Sequence, residues 1–260
     1  MSAQSHRSDP RILGRRTLEQ DHRILAGLLR PGLSVLDVGC GVGAITVGIA
    51  KAVAPGGCVL GIDRDESLLA IAREASADIP NLTLVCGDAT ELDRNQQFDI
   101  VTAARTLQWI ALPERAVRSM ARATKPGGLV VVLDYSHAQN TWEPEPPREF
   151  QTFYQAFHAW RAANQWDNEM ADHLPVLFQD AGLIDVEIHV QDEIACRGEA
   201  DFDSRAALWV DVIDNVGERI AAAGFCSSAL MQEARTSYAA WVRSDLQRQA
   251  LALSAVVGRA

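Results

Sequence analysis

Val35-Leu-Asp-Val-Gly-Cys-Gly-Val-Gly-Ala-Ile-Thr46 is the stretch on which the fold turns. An apolar, β-branched run passes straight into Gly39, Gly41 and Gly43 and then into helix-forming residues. Glycine opens backbone conformations closed to other residues and lets a ligand approach with no β-carbon in the way. The helix that follows presents unpaired N–H groups and a positive dipole end, suited to a carboxylate or a phosphate. The turn alone leaves its ligand open. Gly39, Gly41 and Ala44 also fit the dinucleotide pattern G-x-G-x-x-G/A, and a tight turn that holds nothing is a third reading.

Outward from this turn, short apolar runs alternate with helical periods. The runs lie at 34–38, 58–62, 82–86, 98–103 and 129–133. Between them, residues 45–53, 67–77 and 113–124 carry apolar side chains at three- and four-residue steps. Near-continuous apolar strands separated by helices predict a parallel sheet covered on both faces, placed at 32–135. A leading helix is expected over 12–29. Past Tyr135 the texture changes. Glu143-Pro-Glu-Pro-Pro147 reads as a stiff linker. Next comes a helix over 148–163 with Phe150, Phe153, Tyr154, Phe157 and Trp160 on one face. Residues 186–195 alternate like a strand, 200–224 and 227–249 read as helices, and 251–257 as a closing strand. The expected division is 1–31 as a leading cover, 32–135 as the core, 136–250 as a helical cap containing one core strand near 184–195, and 251–260 as the closing strand.

Three acids beside the turn narrow its chemistry. Asp37 sits inside the otherwise apolar end of the first strand, where a buried carboxylate requires a cation or hydrogen-bond donors. A cationic ligand would supply them. Asp63 ends the second strand, where a carboxylate can accept two hydrogen bonds from a ribose diol. Asp88 follows the third, where a carboxylate and the next backbone N–H, that of Ala89, can read an adenine edge.

Composition excludes several alternatives. The 260 residues are 48% hydrophobic and 22% charged, which is ordinary globular usage. Lys plus Arg number 24 against 34 Asp plus Glu, a formal net charge of −10. A surface this acidic argues against a grip on nucleic acid or an anionic membrane, so neither is expected as a partner. No apolar stretch reaches the roughly 20 residues of a membrane helix, and residues 1–10 show no signal-peptide core. Cys40, Cys58, Cys86, Cys196 and Cys226 are odd in number and widely spaced, as expected of free thiols in the cytoplasm. No metal is expected, because no His, Asp, Glu or Cys cluster has ligand spacing.

Asp37-Val-Gly-Cys-Gly-Val-Gly43, Asp63, Gly87-Asp88-Ala89, Phe98-Asp99-Ile-Val101 and Lys125-Pro-Gly-Gly128 together resemble the class I S-adenosylmethionine-dependent methyltransferases. The resemblance covers residues 12–135 and is similar to the small-molecule branch that includes ubiquinone and menaquinone C-methyltransferases. Leu107-Gln-Trp109 is similar to trans-aconitate and malonyl-carrier-protein O-methyltransferases. The resemblance implies a seven-stranded α/β Rossmann-like sheet with its last strand antiparallel, a helical cap, and S-adenosylmethionine as cofactor, leaving S-adenosylhomocysteine. It places the methionine part of the cofactor against Asp37, Gly39, Cys40 and Gly41, the ribose on Asp63, and the adenine on Asp88 and Ala89. Arg105 and Thr106 match positions that line the cofactor and acceptor pockets. Gln20 and Arg16 match a leading segment that closes over the cofactor. Arg64, beside Asp63, joins the cofactor set and also admits the rival reading of a nicotinamide dinucleotide phosphate, in a dehydrogenase. That rival leaves Asp37 and the Asp88–Ala89 pair unexplained.

The activity implied is methyl transfer to O, N or C of a small molecule by in-line displacement. A positioned base is needed only where the acceptor carries a proton to lose. His137 and Tyr135, after the fifth strand, are the candidate catalytic residues, His137 because imidazole titrates near neutrality. Trp109, Phe153, Phe157 and Trp160 are the candidate acceptor contacts, alongside the alternative that the aromatic stripe only packs the cap. A homodimer is compatible with the sequence, as is a binding protein without turnover.

Overall fold

The computed structural model of the protein describes residues 9–260. Three short helices lead: α1 (Pro10–Leu13), α2 (Leu18–Asp21) and α3 (Arg23–Leu28). Then come β1 (Ser34–Val38), α4 (Ala44–Val53), β2 (Cys58–Asp63), α5 (Glu66–Ala75), β3 (Leu82–Cys86) and β4 (Phe98–Ala104). The chain continues through α6 (Pro113–Ala123), β5 (Thr124–Tyr135), β6 (Thr141–Glu143), α7 (Arg148–Ala163), α8 (Met170–Asp180), β7 (Ile184–Val190) and β8 (Glu193–Cys196). It closes with α9 (Phe202–Ala206), α10 (Leu208–Ala222), α11 (Ser228–Ser244), β9 (Arg248–Leu251) and β10 (Leu253–Arg259).

The chain forms two compact units. One comprises residues 9–135, 169–191 and 253–260, and the other residues 136–168 and 192–252. The first holds a seven-stranded sheet in the order β3-β2-β1-β4-β5-β10-β7. β1 to β5 run parallel, and β10 is antiparallel to both its neighbours. The sheet is mixed and its last strand antiparallel, as the resemblance implied.

Alternation along β1 sends its side chains to two cores. Leu36 and Val38 join Val101, Val130 and Val132 beneath Val117 and Met120 of α6 and Leu174 and Phe178 of α8. Val35 joins Val59, Ile100 and Val131 beneath Ile49, Ala50 and Val53 of α4 and Leu25 of α3. Each such fully buried aliphatic side chain contributes about 1.5–3 kcal/mol. The strand order reverses at β1, between β2 and β4, so the crevice at the carboxyl ends opens beside the glycine turn.

The second unit packs α7, α9, α10 and α11 with a three-stranded sheet, β6-β9-β8. Its centre is aromatic. Phe150 lies 4.2 Å from Tyr238 between ring centroids, and Trp209 meets Phe157 edge to face at 5.3 Å.

Several expected elements resolve differently. The single leading helix is three, because Gly14 ends α1, Thr17 caps α2, and His22 takes φ −147° between α2 and α3. The strand expected over 186–195 is two strands in two sheets, parted at Gln191 and Asp192. Leu251 belongs to β9, and the closing strand starts at Leu253. Residues 169–191, expected within the cap apart from one strand, belong to the sheet unit, where α8 supplies Met170, Leu174 and Phe178 to the core.

Candidate functional site

A cavity of about 300 Å³ lies at the carboxyl ends of β1, β2 and β4. The glycine turn forms its floor. Gly39, Gly41 and Gly43 have φ of 77°, 54° and 77°, in the left-handed region. A β-carbon on Gly39 would stand 2.3 Å from the Thr106 hydroxyl, so this turn and the end of β4 approach as closely as only glycine permits. No side chain caps the start of α4, whose N-cap residue is Gly43.

Asp37 is the chemical centre of the wall. It shares the α4 side of β1 with Val35, and Thr46 on the first turn of α4 donates its hydroxyl to Asp37 Oδ2 at 2.6 Å. Asp37 is 4% exposed, and among the described residues no basic side chain pairs with it. Burial, with the nearby Asp63 charge adding to it, pushes its pKa up to about 6 despite the Thr46 bond. A lone buried anion on a cavity wall is built to receive a cation.

Asp63 binds the turn itself. Its Oδ2 accepts from the Gly41 N–H at 2.8 Å and its Oδ1 from the Asp65 N–H at 2.9 Å. Each oxygen retains a lone pair, so the carboxylate can still accept from a diol. Asp88 accepts from the Thr90 N–H and hydroxyl through Oδ1, both at 2.7 Å, and it caps the short 3₁₀ turn at Ala89–Glu91. The side chains of Asp63 and Asp88 stand at the ends of adjacent strands, where a nucleoside would lie along the sheet edge.

Arg105 occupies a left-handed backbone position, φ 56°, directly after β4. Its buried guanidinium donates to the Asp21 carbonyl at 3.0 Å, approaches Asp21 Oδ1 at 3.7 Å and donates to the Tyr135 hydroxyl at 3.3 Å. It therefore ties α2 to the ends of β4 and β5. Leu13 and Arg16, from the same leading segment, line the cavity.

Asp37, Gly39, Cys40, Gly41, Asp63, Arg64, Asp88, Ala89, Arg105 and Trp109 all line this one cavity, together with Thr106 and Arg16. Gln20 does not. Leu18 turns into α4, which sends Gln20, two residues on, to solvent. Tyr135 is not on the wall either, its hydroxyl being engaged by Arg105. Among the expected acceptor contacts, Phe153, Phe157 and Trp160 are buried inside the second unit, none of them lining the cavity. His137 also lies in the second unit, its ring 5.6 Å from that of Phe157 and 6.4 Å from Trp209. Burial, and then the Arg161 and His158 charges, hold its pKa well below the usual imidazole range. Sequence reasoning missed Thr46, whose bond to Asp37 depends on how α4 docks against β1. It also missed Ile110–Leu112 on the wall, a loop that Pro113 marks as the approach to α6.

The residues present fit S-adenosylmethionine. The uncompensated Asp37 carboxylate matches its ammonium and sulfonium charges, the glycine floor leaves room for its backbone-like tail, and the two further acids match its nucleoside. Comparison with known proteins agrees. A family model described as a methyltransferase domain matches residues 29–182. The chain is 32% identical over 178 residues to a demethylmenaquinone methyltransferase of Staphylococcus aureus, covering 62% of this chain and 71% of that one. Among solved structures, phosphoethanolamine N-methyltransferase 2 of Haemonchus contortus in complex with S-adenosyl-L-methionine aligns with a TM-score of 0.60 at 19% identity. That alignment covers 93% of this chain and 52% of the other, so this chain spans about half its length. The [4+2]-cyclase SpnF aligns with a TM-score of 0.55 at 20% identity, over 95% of this chain and 83% of its own. Both likenesses are of fold.

Proposed function

The chain belongs to the S-adenosylmethionine-dependent methyltransferases, and we propose that it methylates an O, N or C atom of a small-molecule acceptor by in-line displacement. The observation that carries the site is Asp37, a buried carboxylate on the cavity wall that lacks a cation. When bound, S-adenosylmethionine supplies a methyl group already activated on a sulfonium. Asp37 would hold its amino group, Asp63 its ribose hydroxyls, and Asp88 with the Ala89 N–H its adenine. Gly39, Cys40 and Gly41 would form the floor, with Arg64 at the nucleoside end. Arg105, on the cavity wall, would complete the cofactor set, and it holds α2 through Asp21.

For the protein, the work is alignment and exclusion of water, and alignment alone is worth up to roughly 7–11 kcal/mol in such reactions. Where the acceptor must lose a proton, we propose His137 as the base on its place directly after β5, although it is not among the residues of the cavity wall. Its imidazole is neutral at pH 7 because burial disfavours its charged form, so a ring nitrogen has a lone pair to offer. Tyr135, through Arg105, is a positioning residue. Trp109, on the cavity wall, is the acceptor contact this reading favours, with Phe153, Phe157 and Trp160 as the packing that shapes the second unit.

The acceptor is read as a metabolite and not a nucleic acid, because a net charge of −10 repels a phosphate backbone. A cytoplasmic enzyme is the reading we favour, because its five cysteines are odd in number and widely spaced. Among the described residues no helix is long and apolar enough to cross a membrane. We extend the reading to a homodimer, with which the sequence is compatible.

The test is transfer of methyl-labelled S-adenosylmethionine into small-molecule extracts, with mass identification of the labelled product. Label in a metabolite supports the reading, and tight binding with no transfer to any fraction would favour a non-catalytic binder. For a hydroxyl acceptor so identified, His137→Gln is expected to lower kcat at least tenfold with cofactor affinity unchanged. An unchanged kcat would remove the base assignment.

A further inference from the structure

β7 is an edge strand whose outer side is built for self-pairing. It closes the seven-stranded sheet, and among the described residues no strand pairs along its far edge. Gln191, just past its end, donates its N–H to Leu253 on the β10 side at 2.9 Å. Backbone groups of alternate residues share a direction. Gln191, His189 and Glu187 therefore face β10, and the N–H and C=O of Ile188 and Val190 face outward, up to the bulge between Ile184 and Glu187 where the pairing with β10 shifts register. The same residues carry the apolar side chains. Ile188 is 58% exposed and Val190 73%, far more than residues of that size on a covered sheet. On the opposite face of the strand, His189 Nε2 lies 3.3 Å from Glu187 Oε2. An exposed edge with apolar side chains and unpaired backbone groups is a template for another strand.

We propose that β7 pairs with β7 of a second copy of this chain, antiparallel and two-fold symmetric about Ile188. Directly opposed residues of an antiparallel pair share a face. The dyad must therefore fall on a residue, because any half-residue offset would oppose apolar to charged side chains. Centred on Ile188, the ladder sets Ile188 against Ile188 and Val190 against Val186, with Glu187 opposite His189 twice. Centred on Glu187, it would oppose two like charges, which is destabilising. Only the Ile188 register combines outward-facing backbone groups at its centre with a carboxylate opposite an imidazole, and not a like group, on the other face. The Ile188 pair closes about two backbone hydrogen bonds, and the Val190 groups on either side add to the ladder. Such a contact is isologous, so it ends at two copies. A ladder this short lies at the small end of specific interfaces, whose standard span is roughly 1,200–2,000 Å², so the dimer is expected to dissociate on dilution.

Sedimentation velocity on the full chain over a dilution series, with residue-resolved hydrogen exchange at both ends of it, tests this. The expected result is a dimer at high concentration that becomes a monomer on dilution. The Ile188 and Val190 amides should exchange slowly in the dimer and quickly in the monomer, with the Glu187 and His189 amides slow in both. Ile188→Lys opposes two ammonium groups at the dyad, and Val190→Lys disrupts the flanking pair. Each is expected to shift the mass to monomer at every concentration with S-adenosylmethionine affinity unchanged. A wild-type chain that stays monomeric throughout, or a dimer that survives both substitutions, would overturn the proposal. Neither readout depends on methyl transfer, so its failure would leave the assigned activity untouched.

Discussion

Asp37 sets two opposing demands that meet at one carboxylate. Raised to about 6 from an ordinary value of 3.8, it takes up a proton more readily folded than unfolded. Its contribution to the free protein is therefore lost as pH rises from about 4 through 6, a cost of about 3 kcal/mol above that window. A bound cation reverses the sign, because it favours the ionised form. Affinity for S-adenosylmethionine is thus expected to climb about tenfold per pH unit below pH 6 and to level off above it, with a proton released on binding near pH 6. Titration calorimetry in buffers of different ionisation enthalpy reads both, and a flat affinity from pH 5 to 8 would contradict the assignment. Asp37→Asn should raise the melting temperature of the free protein at pH 8 while weakening cofactor binding at least tenfold. A carboxylate stranded in an apolar strand end is a signal visible in the sequence alone. The bond from Thr46 and the capture of Arg105 by Asp21 are not, since both depend on how the leading helices and α4 dock.

The parallel strands were legible as elements because burial on both faces makes each a continuous apolar run. The leading segment was not, because its helical period persists across breaks made by local chemistry: the Thr17 hydroxyl capping Gln20, Asp21 Oδ2 accepting the Thr17 N–H, and the turn at His22. The sheet β6-β9-β8 was equally hidden, being assembled from segments about 50 and 100 residues apart. α2 docks where α4 has no side chain. A β-carbon on Gly48 would stand 2.7 Å from Leu18 Cβ. Gly48→Ala is therefore expected to lose about 1–3 kcal/mol through overpacking, despite alanine's better helix propensity. Displacing α2 should also raise the Kd for S-adenosylmethionine several-fold, through Leu13 and Arg16. Denaturant unfolding together with calorimetry checks this, and a variant more stable than the parent would show that α2 does not rest on that glycine.

Across the whole molecule, acid stability has one source in the sheet unit at His22, which joins the leading helices to the middle of the sheet, while His137 and His158, lowered in the same sense, add to it in the second unit. Thr102 donates its hydroxyl to the Val131 carbonyl at 2.8 Å and so accepts from His22 Nε2–H at 3.0 Å. Nδ1 is buried and has no hydrogen-bond partner among the described residues. Burial, and then the Arg105 charge, lower the pKa to about 3. The unfolded chain binds that proton near 6.5 and the folded one does not, so this contribution is complete above pH 6.5 and drains away as pH falls toward 3. His22→Gln keeps a donor for Thr102 and cannot titrate. It should reduce the loss of melting temperature between pH 6.5 and 4, and a slope equal to the parent's would show that His22 carries no part of it. Added S-adenosylmethionine should stabilise the same sheet unit by about 2.7 kcal/mol at a hundredfold excess over Kd. The most direct test of the account is calorimetric titration of the protein with S-adenosylmethionine, S-adenosylhomocysteine and pyridine dinucleotides. The prediction is one-to-one binding of the two sulfur nucleosides, weakened at least tenfold, about 1.4 kcal/mol, by Asp63→Ala. Silence toward both nucleosides, with uptake of a pyridine dinucleotide, would contradict it.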